Sequence, residues 1–199
     1  MVADRSPSAD PPRHPLILAS RSPQRRAILE QLKIAYDAVP VDVDEIGAGS
    51  PVEIARTNAL AKARAGALVR PGQTILGVDT VVALDGEIFG KPASEQDAAV
   101  TLRRLQGRTH EVVSGLALLG PDNTQVVHEA TEVTFRELDE ATIARYVQTG
   151  EWRDRAGGYA IQGQGGGLVR RIIGDYLNVV GLPVGAMLDL DLSLILRQG

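Results

Sequence analysis

The chain has 199 residues, 44% hydrophobic and 23% charged, which suits a single globular domain whose core needs no covalent staple. It has no cysteine, which excludes disulfides, thiolate metal sites, iron–sulfur clusters and a cysteine nucleophile. A formal net charge of −4 speaks against a general nucleic-acid coat, and 21 glycines with 11 prolines are too few for a low-complexity chain.

Residues 1–14 are polar and proline-rich with no apolar signal segment, and read as a disordered leader before one domain over 15–199. The longest apolar run, 179–188, is interrupted by Gly181, Pro183 and Gly185 and falls well short of a membrane span. The expected compartment is the cytoplasm. Leu16 to Ala19 reads as a buried strand, and Ser22-Pro23 as an N-cap with proline in the first helical turn. Ile28, Leu29 and Leu32 form the buried stripe of that helix.

A second strand is expected over 36–43, ending in an acidic turn with Asp42, Asp44 and Glu45. Ser50-Pro51-Val52-Glu53 is a capping box, opening a helix that reaches about Val69. Residues 75–84 read as a strand, Asp85-Gly86 as a hairpin turn and 87–89 as the returning strand. Ser94 caps a helix carrying Val100, Leu102 and Leu105 inward. Strands over 109–119 and 124–136 flank the turn at 120–123. Asp139 caps a helix with Ile143, Tyr146 and Val147 inward, stopped by Gly150. A glycine-rich loop over 157–167, read as flexible, precedes a hairpin around Gly174-Asp175 and a C-terminal helix from about Pro183. The order of elements gives an α/β fold with a mixed sheet.

Chemistry concentrates at the first strand-to-helix junction, where Arg21, Arg25 and Arg26 surround a helix N-terminus. The helix dipole disfavours cations there, so the cluster points to a phosphate site, unless the arginines turn outward to surface acids. Asp79 interrupts the apolar strand Gly77-Val78-Asp79-Thr80-Val81-Val82. It either faces a cleft or alternates to the wet face of an edge strand. Lys91 in Gly90-Lys91-Pro92, Lys62 in an alanine-rich helix and the acids at 42–45 are each weak signals alone. So are the late glycines, which lack both the Walker and the Rossmann arrangement. His14, His110 and His128 are too scattered for a metal triad.

Together these segments resemble the Maf family of nucleoside triphosphate pyrophosphatases. The resemblance is carried by Leu18-Ala19-Ser20-Arg21-Ser22-Pro23-Gln24-Arg25-Arg26, Val43-Asp44-Glu45, Ala61-Lys62-Ala63, the Asp79 strand and Gly90-Lys91-Pro92. Ala156-Gly157-Gly158-Tyr159-Ala160-Ile161-Gln162-Gly163 and Asn178-Val179-Val180-Gly181-Leu182-Pro183 extend it toward the C-terminus. It implies a mixed twisted sheet with flanking helices and two lobes around a nucleotide cleft, similar to inosine-triphosphate pyrophosphatases. The implied reaction is metal-dependent hydrolysis, with Mg²⁺ or Mn²⁺, of a nucleoside triphosphate to monophosphate and pyrophosphate, in what is commonly a homodimer with no nucleic-acid or membrane partner.

By the same resemblance Asp79 is the proton acceptor, and Ser20, Arg25, Lys62 and Lys91 contact substrate phosphates. The chemistry of the residues also suits a metal on Glu45 or Asp79, with Asp79 either accepting a proton from the attacking water or orienting that water on the metal, and the resemblance ties Gln24, Thr80 and Gln162 to base selection. The tail resembles the branch acting on dTTP and UTP, modified pyrimidine nucleotides being the other expected substrates. Gln24 departs from the family's usual arginine, which bears on base preference. The alternatives are a nucleotide-binding regulator of cell division without turnover and a dinucleotide binder through the late glycines.

Overall fold

The computed structural model describes residues 15–196, so the expected leader, His14 included, lies outside the described residues. Leu16, Ile17, Leu18 and Ala19 are all buried, as in a strand covered on both faces, and form β1 (Leu16–Ala19). It pairs in parallel with β2 (Tyr36–Ala38) on one side and β3 (Ile75–Leu84) on the other. Beyond β3 the sheet is antiparallel, through β5 (Thr109–Leu119), β6 (Thr124–Phe135) and β7 (Val169–Ile173). The order is β2-β1-β3-β5-β6-β7, with β4 (Glu87–Phe89) folding back onto β3 through Asp85-Gly86. Both turn residues have positive φ, 52° and 81°, as a tight two-residue hairpin requires. The fold is α/β with a mixed sheet, as expected.

The helices are α1 (Pro23–Gln31), α2 (Pro51–Val69), α3 (Glu95–Leu105), α4 (Glu140–Gln148), α5 (Tyr176–Val180) and α6 (Val184–Leu190). Ser22, Ser50, Ser94 and Asp139 each accept a hydrogen bond from the amide three residues on, at the expected caps. No helix among the described residues is long and apolar enough to cross a membrane.

Four local expectations change. The strand expected over 36–43 ends at Ala38, because Pro40 has no N–H to continue the ladder, and 39–50 runs without regular structure toward α2. Val100 is 53% exposed, since Ala98, Leu102 and Leu105 share the buried face and position 100 lies about 200° round from 98. The glycine-rich stretch is packed rather than loose. It forms short 3₁₀ turns at Ala156–Gly158 and Gln164–Leu168, with Gly157 against Val82 and Gly158 against Pro92. Asp175 is a helix cap and not a hairpin residue; its carboxylate accepts from the Leu177 amide at 2.7 Å and starts α5.

The core divides along the long strands. One cluster gathers Val82, Leu84 and Phe89 with α3, α4, Phe135 and Trp152; another gathers Leu16, Leu18 and Leu76 with α1, Leu182 and Met187. Helix α2 covers the opposite face with Ala55, Ala59 and Ala63, and approaches the sheet at Gly77 and Gly115. A Cβ on Gly115 would lie 2.1 Å from the Ala55 carbonyl oxygen, and one on Gly77 2.2 Å from that of Ala59. Neither helix carbonyl can yield unless α2 moves.

Gly115→Ala is therefore expected to cost about 1–3 kcal/mol by overpacking. It should also lower activity beyond the stability loss, because α2 carries side chains of the cleft described below. Thermal unfolding reads the effect, with Gly185→Ala, where a Cβ meets nothing within 4 Å, as the control. An unchanged Tm for Gly115→Ala would refute the close packing.

Candidate active site

β1 follows β3 only as far as Gly77, and β4 takes up the same edge at Val82. Residues 78–81 are left without a strand neighbour on that edge, and the sheet splits there. Side chains from both faces of β3 reach the opening: Asp79 on the α2 side and Thr80 on the other. Asp79 pairs across the ladder with Gly115 and Thr80 with Ser114. The alternative that Asp79 occupies the wet face of an edge strand does not hold, because β3 is central and Asp79 is 7% exposed.

A cavity of about 450 Å³ opens at this split, lined by Gln24, Arg25, Glu45, Asn58, Lys62, Asp79, Thr80 and Lys91 among others. That size suits a small-molecule ligand. On the α2 side, the Lys62 ammonium donates to Asp79 Oδ1 at 2.6 Å and lies 2.7 Å from Glu45 Oε1. One cation thus bridges two carboxylates delivered by different elements. Asn58 Nδ2 donates to the other oxygen, Asp79 Oδ2, at 3.2 Å. Each oxygen of the buried acid thus has a donor, which offsets the cost of taking it out of water.

On the other face lies Arg25, buried at the cavity wall. Its Nε donates to the Gly181 carbonyl at 2.8 Å, and its terminal nitrogens to Ser20 Oγ at 3.0 Å and Thr80 Oγ1 at 3.1 Å. None of these acceptors is an anion. Burial pushes the Arg25 pKa down, and the fields of Asp79 and Glu45 only partly restore it. The carbonyl is delivered by the stretch 178–183: Asn178, wholly buried, donates to the Val112 carbonyl and Thr131 Oγ1 at 3.0 Å, and Gly181 turns the chain at φ 130°.

The remaining expected residues distribute unevenly. Ser20 is 5% exposed, and its hydroxyl accepts from Arg25 and from the Ser22 amide. Lys91 is exposed at the mouth. Gln24 and Gln162 meet in an adjoining cavity of about 330 Å³ with Glu151, Arg155 and Tyr159, whereas Thr80 is turned to Arg25 and Ser114. The three-arginine cluster is only partly a site: Arg25 points in, Arg21 lies exposed 4.0 Å from Asp42 on the wall of a third cavity of about 600 Å³ shared with Ser20 and Lys91, and Arg26 lines none of the three. His128 is exposed and His110 is buried. Among the described residues no three His, Cys, Asp or Glu side chains converge into a metal cage.

Two cleft residues were missed by the sequence reading. Asn58 lies one turn before Lys62 on the same helix face, and a polar residue inside the stripe of Ile54, Ala55, Ala59 and Ala63 was the available signal. Arg155 lines all three cavities, and its Nε is buried without a hydrogen-bond partner among the described residues. No periodicity marks it.

Tyr159 lines the same wall, and its hydroxyl pairs with His110 Nε2 at 2.9 Å. Burial drives the Tyr159 pKa up and lowers that of His110 to about 4. The folded His110 therefore binds fewer protons than the unfolded one between pH 4 and 6.5. Stability should rise with pH across that window and fall as pH drops, by about 3 kcal/mol in all. Unfolding midpoints from pH 7 to 4 should decline less steeply in His110→Phe/Tyr159→Phe than in wild type; parallel curves would contradict it.

The fold and this site together define an α/β protein whose split sheet presents a carboxylate pair and several cations to one polyanion-sized cleft. A family profile described as Maf-like protein matches residues 15–191, and the chain belongs to that family. It is similar to proteins named dTTP/UTP pyrophosphatase. That of Symbiobacterium thermophilum is 47% identical over 85% of this chain and 88% of the relative. That of Nitratidesulfovibrio vulgaris is 47% identical over 94% and 89%, and that of Pyrococcus furiosus 46% over 88% and 93%. Among solved structures, the Staphylococcus aureus Ham1 protein aligns at a TM-score of 0.46 and 21% identity, over 61% of this chain and 72% of that one.

Proposed function

We propose that this protein hydrolyses nucleoside triphosphates to the monophosphate and pyrophosphate, with dTTP and UTP as its first substrates. The observation that carries the reading is Asp79: a carboxylate kept at the base of a cleft by Lys62 and Asn58, beside the uncompensated Arg25. A triphosphate brings about four negative charges, and Arg25, Lys62 and Lys91 supply local cations that the chain's net charge of −4 does not. Ser20 serves through Arg25, whose guanidinium it holds.

Each Asp79 oxygen already accepts one hydrogen bond and keeps a further lone pair. Asp79 takes the proton from a water whose oxygen bonds to phosphorus. The α–β anhydride bond breaks, and pyrophosphate leaves with the electron pair on its oxygen. Lys62 holds the carboxylate's free edge toward the cleft and meets the phosphate charge. Glu45 and Asp79 are hard oxygen donors already spanned by one cation, so they fit a divalent ion that uses one or two carboxylates plus substrate phosphates. Mg²⁺ or Mn²⁺ bound there would stabilise charge developing on the phosphates.

Gln24 and Gln162, facing the same adjoining cavity, are proposed to select the base, and Thr80 to act by setting Arg25. A single domain over 15–199, a homodimeric assembly and a cytoplasmic setting complete the proposal. Pyrophosphate release from a panel of ribo- and deoxynucleoside triphosphates with each metal tests it. A peak at dTTP and UTP is expected. A peak at other bases would overturn the proposed preference, and binding without release would overturn the enzyme reading in favour of a regulator.

A further inference from the structure

The acidic segment after Pro40 has no strand or helix to hold it, yet it must deliver Glu45 to a fixed place. Five residues close a ring around that problem. Asn58 Oδ1 accepts from the Ile46 amide at 2.9 Å, and Asn58 Nδ2 donates to the Ile46 carbonyl at 3.2 Å and to Asp79 Oδ2 at 3.2 Å. Lys62, one helical turn on, reaches Asp79 Oδ1 and Glu45 Oε1. Glu45 and Ile46 are adjacent, so the path runs Asp79, Lys62, Glu45, Ile46, Asn58 and back to Asp79.

Asn58 is 2% exposed, and its orientation is forced. Rotating the amide by 180° would set donor against donor at the Ile46 N–H and acceptor against acceptor at its carbonyl and at Asp79. We infer that Asn58 is a positioning residue for the reaction: it clamps the loop at Ile46 and orients Asp79, thereby setting the spacing of the two carboxylates. This deepens the proposed hydrolysis and rests on it. Among the described residues Asn58 is the side chain that does both: Lys62 holds only side chains, whereas Asn58 ties the loop backbone to the acid.

Two variants and two readouts test it. Asn58→Leu keeps the volume and removes every polar contact. Its kcat for pyrophosphate release from dTTP should fall at least tenfold with KM within about threefold, because Arg25, Lys62 and Lys91 stay in place. Amide exchange at residues 43–48 should quicken while the β3 and β5 amides stay protected. Asn58→Asp keeps an acceptor for the Ile46 N–H and loses the donor to the Ile46 carbonyl and to Asp79; its kcat should fall as far or further, with more loop protection retained than in Asn58→Leu. If either variant keeps kcat within twofold of wild type, or loses rate only through KM, the inference fails; if Asn58→Leu does not fold, Asn58→Asp decides. Should wild type release no pyrophosphate, the proposed function fails separately. The clamp is then judged by exchange alone, unchanged protection in Asn58→Leu overturning it.

Discussion

Asp79→Asn is expected to lower kcat for pyrophosphate release by roughly 10³-fold while leaving the fold and nucleotide affinity intact. General-base catalysis contributes about 10²–10⁴-fold, and here the base also lies at the point where the sheet opens. The substitution conserves size, so packing against Gly115 and α2 persists. The amide oxygen can still accept from Asn58 Nδ2, and Lys62, which then faces the amide nitrogen, keeps Glu45 as a partner, so no buried ammonium is stranded. Removing a negative charge beside a bound polyanion should hold or tighten affinity. The informative pattern is thus lost turnover with an equal or lower dissociation constant, measured by single-turnover release and by calorimetry with dTTP. Turnover within tenfold of wild type would remove Asp79 from the role of proton acceptor.

The elements were legible wherever the backbone chemistry is local. Ser22-Pro23 and Ser50-Pro51 announce helix starts, Asp85-Gly86 announces its hairpin, and the apolar run interrupted by Asp79 announces a strand. Asp79 itself stood out because an acid within such a strand needs partners. Those partners were only half visible. Lys62 is unremarkable in sequence, and Asn58 is more so, because both owe their roles to which face of α2 docks on Gly77 and Gly115.

The arginine cluster shows the same limit. Three cations near one helix start looked equivalent, but only Arg25 stands on the inward face above Ser20, while Arg21 precedes the helix and points to Asp42. The opening at 78–81 had no signal at all. It arises because β1 and β4, distant in sequence, end and begin on the same edge of β3 with a gap between them. The late glycines misled for a related reason: glycine permits a loose loop, but here it permits close packing on Val82 and Pro92.

Arg25 makes the second large prediction. Its guanidinium is buried against a carbonyl and two hydroxyls with no anion in hydrogen-bond reach, a costly arrangement that a phosphate ligand would relieve. A ligand at about 100 times its dissociation constant stabilises by about 2.7 kcal/mol, which for a chain of this size raises Tm by roughly 5–10 °C. Inorganic pyrophosphate should produce that shift in the wild-type protein. In Arg25→Met the shift at the same concentration should shrink to less than a third. The ligand-free Tm should fall by several degrees: Thr80 keeps Ser114 and Ser20 keeps the Ser22 amide, but the buried Gly181 carbonyl loses its donor, at a cost of about 1–3 kcal/mol.

Arg25→Lys should not restore the shift in full, because one ammonium on a shorter reach cannot serve three acceptors set for a planar fork. Thermal melts with and without pyrophosphate decide the matter. An undiminished shift in Arg25→Met would place the anion elsewhere in the cleft, on Lys91 or Arg155, and leave the buried guanidinium a purely structural group.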